Sequence, residues 1–174
     1  MQLPERAEEG LRLRPWPGPL AGERTPTGFV LIAPPLSSLM PHWLVKTEPS
    51  TYSWSQLLAE KRACWDGVRN AQARNNLVAM KVGDQVLLYH SGDDRCVMGI
   101  AKVERAAYQD PTTDDARWMC VDLVPMRELS APVTLATIKG QTDLIEIALV
   151  RQSRLSVMPL PADAFRSIVA LGKK

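Results

Sequence analysis

The chain has 174 residues, 45% of them hydrophobic, which suffices for one domain with a full core. Its 21 Lys and Arg against 19 Asp and Glu leave a formal charge of +2, excluding a broad basic footprint and confining any nucleic-acid contact to a local patch. Three widely spaced cysteines and two histidines exclude a close-spaced zinc site, and no apolar run approaches the ~20 residues of a membrane helix.

No metal, cofactor or membrane partner is therefore expected. The odd set Cys64, Cys96 and Cys120 fits reduced thiols of a cytoplasmic protein, or a nuclear one in a eukaryotic cell. Cys64 is expected to be a buried, inert thiol, as free cysteines usually are.

Residues 1–39 are a different kind of sequence from residues 40–174. Pro4, Pro15, Pro17, Pro19, Pro26, Pro34 and Pro35 interrupt every helical run, so a disordered extension is expected. Glu5, Glu8, Glu9 and Glu23 balance its arginines, unlike a mitochondrial transit peptide. Two explanations stay open: Met40 is the natural start, or a genuine unstructured tail precedes the domain.

Trp43, Val45 and Thr47 alternate with Leu44 and Lys46, giving a first strand that stops at Glu48-Pro49, where proline drives its predecessor out of the helical region. A binding loop can start there. Ser50, Thr51 and Ser53 are candidate caps for a short helix carrying Trp54, Leu57 and Leu58, with Trp54 packing rather than meeting a ligand. In Cys64 to Ser91, reading CWDGVRNAQARNNLVAMKVGDQVLLYHS, Asp66-Gly67 predicts a tight turn beside Trp65. Asn70 is a good N-cap, and Ala73, Leu77 and Met80 predict a short helix closed at Lys81-Val82-Gly83-Asp84.

A strand over Gln85 to Ser91 follows, joined through Ser91-Gly92-Asp93-Asp94 to Val97–Val103 as a hairpin, with Gly99 marking a bulge or bend. Tyr108 to Asp115 is polar and turn-rich, hence an exposed loop that flanks a pocket. Trp118 to Val124 is strand-like, and Pro125 ends or edges it. Thr134 to Ile138 predicts one helical turn, and Asp143 to Val150 either a short helix or an apolar connector. Ser153 to Met158 reads as a last strand, and Pro161 opens a closing helix through Phe165, Ile168, Val169 and Gly172.

Four motifs in this order, WLVKTEP (43–49), WDGVRNxxARN (65–75), KVGDxVLLYHS (81–91) and RLSV (154–157), resemble the EVE domain family from about Pro41 to the C-terminus. The resemblance implies an α+β domain of the PUA-like kind, a small curved β-barrel flanked by short helices, related to YTH readers of methylated RNA and SRA readers of methylated DNA. In those relatives an aromatic-lined pocket takes a modified base out of its strand. The implied site lies between the first strand, the Trp65 loop and the Tyr89 strand end. Trp43, Trp65 and Tyr89 would offer flat apolar walls, and Lys46, Thr47, Glu48, Asn70, His90 and Ser91 would offer hydrogen bonds to the base edge. Arg69 and Arg74 would meet phosphate, and Pro49, Gly67, Val68 and Asn75 complete the candidate set.

The expected function is a non-catalytic module that reads a modified nucleobase in DNA or RNA. One alternative is an enzyme acting on a nucleotide or small metabolite, with Glu48 or His90 as acid or base, although no Ser-His-Asp order, GxGxxG or Walker pattern supports it. The other is a protein-interaction domain.

Overall fold

A computed structural model describes residues 41–173. The disordered extension expected at residues 1–39, and Met40 as a start, lie outside the described residues. The elements run β1 (His42–Thr47), α1 (Trp54–Glu60), β2 (Ala63–Trp65), α2 (Ala71–Ala79), β3 (Gln85–His90), β4 (Cys96–Gln109), β5 (Met119–Thr134), α3 (Leu135–Lys139), α4 (Ala148–Arg151), β6 (Val157–Leu160) and α5 (Ala162–Leu171). They build one six-stranded sheet in the order β2-β5-β4-β3-β1-β6.

β1 and β3 pair in parallel, which demands a crossover connection. That crossover carries α1, β2 and α2, and β2 pairs with β5 at the opposite edge of the sheet. The chain thus leaves β1, visits the far edge and returns to β3 beside β1. Helix α2 packs on β6 at one edge and on β5 and β4 towards the other, so the sheet has to curl until both flanks face the helix. Asn76 fastens the helix there, its Nδ2 donating to the Val157 carbonyl at 2.7 Å. The result is the expected small curved barrel, crossed by α2 where β2 and β6 are not laddered together among the described residues.

The curl comes from irregularities in the long strands β4 and β5, whose register shifts between Val97/Gly99, Ile100/Ala101, Val103/Arg105 and Arg105/Tyr108. Gly99 lies at one such shift, as expected. A Cβ there would sit 2.3 Å from the Trp54 indole, so glycine also lets the buried tryptophan lie against the strand. Pro125 does not end β5, which continues to Thr134. It pairs with Ala101 while Arg127 pairs with Ile100, leaving Met126 as an extra residue; a bulge tolerates a residue without an N–H.

Local signals set the other boundaries. Ser53 caps α1 in a full capping box with Gln56, and the helix buries Trp54 and Leu57 but leaves Leu58 41% exposed. Asn70 caps α2, which ends at Ala79 with Met80 extended; Gly83, at φ 95°, shapes the turn into β3 instead of closing the helix. Asp143 to Val150 divides into turns followed by α4, with Leu144, Ile147 and Leu149 buried. β6 starts only at Val157 because Leu155 donates to the Gln152 carbonyl at 3.1 Å and holds the preceding residues in a turn. Pro161 precedes α5, which buries Phe165, Ile168 and Val169. Tyr108 and Gln109 belong to β4, and Asp110, expected in an exposed loop, is completely buried.

Candidate functional site

An open cavity of about 570 Å³ lies between the end of β1 and the end of β2, with the loops that follow each strand. Lys46, Thr47, Glu48, Thr51 and Tyr52 form one wall, Cys64 to Asn70 the other, and Ser156 enters from the segment before β6. These walls come from opposite flanks of the sheet, brought together by its curl. The volume is that of a typical small-molecule site.

The first wall is a turn that follows from proline stopping β1. The Thr51 and Tyr52 amides both donate to the Glu48 carbonyl at 2.9 Å, and the Thr47 hydroxyl donates to the Tyr52 carbonyl at 3.1 Å. Pro49 shapes this turn without lining the cavity. The Tyr52 ring meets Trp65 edge-on, with centroids 6.3 Å apart, and its hydroxyl donates to Glu60 at 2.8 Å. Burial and the Glu60 carboxylate push the Tyr52 hydroxyl well above its usual range. Lys46 donates from Nζ to the Ser153 carbonyl and stands 6.0 Å from the Tyr89 ring centroid; burial lowers its ammonium below the usual lysine value.

The second wall depends on Asp110. Gly67 takes φ 69° in the predicted turn, and its amide donates to Asp110 Oδ2 at 3.0 Å. Arg69 Nη1 donates to the same oxygen at 2.7 Å, while the Thr112 hydroxyl and amide donate to Oδ1 at 2.6 and 2.8 Å. Burial alone would push this carboxyl up, but the hydrogen bonds from Thr112, Arg69 and Gly67 outweigh it and hold the pKa at about 2. Arg69 also donates to the Thr112 hydroxyl at 2.9 Å and lies 5.6 Å from the Trp118 ring centroid. Its guanidinium is therefore a brace for the loop. Asn70 Oδ1 accepts the Ala73 amide at 3.0 Å, which leaves its Nδ2 group for a ligand.

Cys64 departs from the expected buried thiol. It is half-buried, lines the cavity, and lies 3.1 Å from the Tyr108 hydroxyl, which donates to Asp122 at 2.6 Å.

The structure brings Lys46, Thr47, Glu48, Trp65, Gly67, Val68, Arg69 and Asn70 together around the cavity and leaves the remaining candidates outside its lining. Trp43 is 5% exposed and donates from Nε1 to buried Asp84 at 2.8 Å. Tyr89 is buried behind Lys46. His90 is buried, its Nε2 accepting the Trp54 amide at 3.0 Å and its Nδ1 lying 3.1 Å from Asp94. Ser91 donates its amide to the Thr47 carbonyl at 2.8 Å and so supports the wall from behind. Arg74 donates to Asn75 Oδ1 and to the Arg117 carbonyl, both at 3.0 Å, on the flank of α2.

Thr51, Tyr52, Cys64, Asp66 and Ser156 also line the cavity and were outside the candidate set. Each had a signal: Thr51 and Tyr52 lie in the loop opened by Pro49, Cys64 and Asp66 flank Trp65, and Ser156 lies in the RLSV motif.

A family model for the EVE domain matches residues 41–171. Thymocyte nuclear protein 1 from Homo sapiens is 31% identical over 173 residues, covering 80% of this chain and 77% of that protein. An NMR structure of a Rhodopseudomonas palustris protein superposes with a TM-score of 0.73 at 41% identity, covering 76% of this chain and 93% of that one. The crystal structure of human THYN1 protein in complex with 5-methylcytosine containing DNA superposes with a TM-score of 0.72 at 30% identity, covering 77% and 98%. A mixed sheet curled around one helix, with its cavity between the ends of β1 and β2, defines a PUA-like α+β domain. The chain belongs to the EVE domain family. Among the described residues no helix is long and apolar enough to cross a membrane, and no group of His, Cys, Asp and Glu is placed to hold a metal ion.

Proposed function

We propose that the protein is a non-catalytic reader that takes one modified base of a nucleic acid into the cavity at the ends of β1 and β2. The observation that carries this reading is the make-up of that cavity: the Trp65 and Tyr52 rings beside a rim of hydrogen-bonding groups, in a fold shared with the human protein crystallised with 5-methylcytosine containing DNA. Stacking on an aromatic side chain contributes about 1 to 3 kcal/mol per base, enough to offset unstacking from the strand. Lys46, Thr47, Glu48, Asn70 and Ser156 then read the polar edge. Arg69, Gly67 and Val68 hold the wall, and Pro49, Tyr89, His90 and Ser91 support it from outside.

Against catalysis stands the engagement of His90, whose two nitrogens are committed to the Trp54 amide and Asp94. Such a reader works wherever nucleic acid is, in cytoplasm or nucleus.

A buried methyl alone contributes about 0.8 kcal/mol, roughly a fourfold preference, so sharper choice has to come from polar groups left unpaired by the wrong base. Calorimetric titration of matched oligonucleotides, with and without 5-methylcytosine and other modified bases, tests the reading. At least one modification is expected to bind at least about tenfold more tightly than its parent, a gap of about 1.4 kcal/mol. Equal affinities across a broad panel would overturn the proposal and favour a protein-interaction domain; turnover of the ligand would favour an enzyme.

A further inference from the structure

Resting on the base-reading proposal, we infer that a second, smaller cavity holds the phosphate next to the flipped nucleotide, with Arg154 as its principal contact. The ligand is then a nucleotide strand rather than a free base. This second cavity measures about 300 Å³ and is lined by Arg151 at the end of α4, Ser153 and Arg154 from the turn before β6, and Asn70 and Gln72 from the start of α2.

Two residues join it to the base cavity. Asn70 lines both, and Lys46, which lines the larger, donates from Nζ to the carbonyl of Ser153, which lines the smaller. A ligand that fills one therefore emerges beside the other.

Charge divides the two compartments. The larger holds the Glu48 and Asp66 carboxylates on its rim; of its two cations, Arg69 is neutralised by buried Asp110, and Lys46 donates to the Ser153 carbonyl on the side of the smaller cavity. An anion is disfavoured there. The smaller has two guanidiniums and no carboxylate in its lining. Arg151 is paired with Glu146, whereas exposed Arg154 enters none of the ion pairs among the described residues. Arg74 is occupied by Asn75 and the Arg117 carbonyl. With Arg69 and Arg74 both engaged, Arg154 is an unpaired planar fork beside the base cavity among the described residues, and such a fork suits phosphate oxygens. Gln72 spans the cavity by donating to Gln152 at 3.2 Å, fixing the helix start against the turn.

Titration of the full chain with matched modified and unmodified single-stranded oligonucleotides, over a range of salt, tests this. Arg154→Ala is expected to weaken both oligonucleotides alike by about tenfold, because phosphate contacts carry no base information, and to reduce the log-log salt slope by about 0.7. Arg127→Ala, an exposed arginine on β5, serves as the charge-matched control and is expected to do neither. In a second arm, a 3′- or 5′-monophosphate of the preferred modified nucleoside is expected to bind at least about tenfold more tightly than the nucleoside. Arg154→Ala removes that ratio. Unchanged oligonucleotide affinity and salt slope in Arg154→Ala would overturn the inference while leaving base reading intact. Failure of the reading itself shows differently, as wild-type protein with no preference between modified and unmodified strands, and the inference falls with it.

Discussion

Two buried aspartates, one in each half of the domain, use the same chemistry to opposite ends. Asp84 accepts the Trp43 indole N–H at 2.8 Å and the Lys81 amide at 2.9 Å, tying β1 to the turn before β3. Asp110 accepts the Gly67 amide, the Arg69 guanidinium and two groups of Thr112, tying the loop after β2 to the end of β4. The first takes a tryptophan of binding-site type and commits it to the core. The second takes an arginine of phosphate-binding type and commits it to the shape of a cavity wall. What a side chain is available to do is thus decided by whether a buried carboxylate has already engaged it.

The comparison breaks most visibly at Trp43. Trp43→Ala is expected to cost about 3 to 5 kcal/mol of stability in denaturant melts, since it leaves a cavity and strips buried Asp84 of a donor. The protein that remains folded should bind with unchanged affinity. A binding-specific loss would place Trp43 in the site after all.

Asp110→Ala is expected to cost less stability, about 2 to 3 kcal/mol, but to weaken binding more than tenfold because the Gly67–Arg69 wall loses its anchor. Melts paired with titrations separate the two effects; intact binding would remove Asp110 from its organising role. The same carboxylate predicts a pH dependence. Its folded pKa of about 2 lies below the ordinary aspartate value of about 3.9, so its stabilisation is complete above the ordinary value and is lost as pH falls through the folded one. Melting temperature should therefore drop between about pH 4 and pH 2, and Asp110→Asn should flatten that part of the curve.

Trp65→Leu sharpens the contrast between the two tryptophans. It should weaken base binding by about 1 to 3 kcal/mol while destabilising the fold less than Trp43→Ala does. Equal stability losses with no separable binding loss would make Trp65 a second core tryptophan.

Signals confined to a few neighbouring residues were legible in the sequence. Pro49 stopping β1, Asn70 capping α2, Gly67 turning after Trp65 and Gly99 at a bulge all appear where those residue types require them. The long-range pairings were not. Asp110 sits in a run of turn residues that reads as solvated, and its partner Arg69 is 41 positions away. His90 stands next to Ser91 in a polar strand end, and its engagement by the Trp54 amide, 36 positions earlier, is a pairing that no local pattern carries. Pro125 by residue type alone ends or edges its strand, because the extra residue that accommodates it is defined only by the register against β4. Arg154 lies within the RLSV motif, but that it enters no ion pair among the described residues depends on contacts distant in sequence.

The crossover between the parallel strands also bears on how the site comes into being. Strands β3, β4 and β5 are antiparallel neighbours linked by short connections and can zip together locally, yet they supply none of the cavity lining. The lining comes from the ends of β1 and β2, whose ladders join residues 42 to 85 and 63 to 123 and close long loops of chain. Such distant pairings are slow to form. Binding competence should therefore be acquired after most secondary structure in a refolding experiment, and a ligand that holds the two walls together acts as a clasp on the barrel's last closure, raising the melting temperature with ligand concentration.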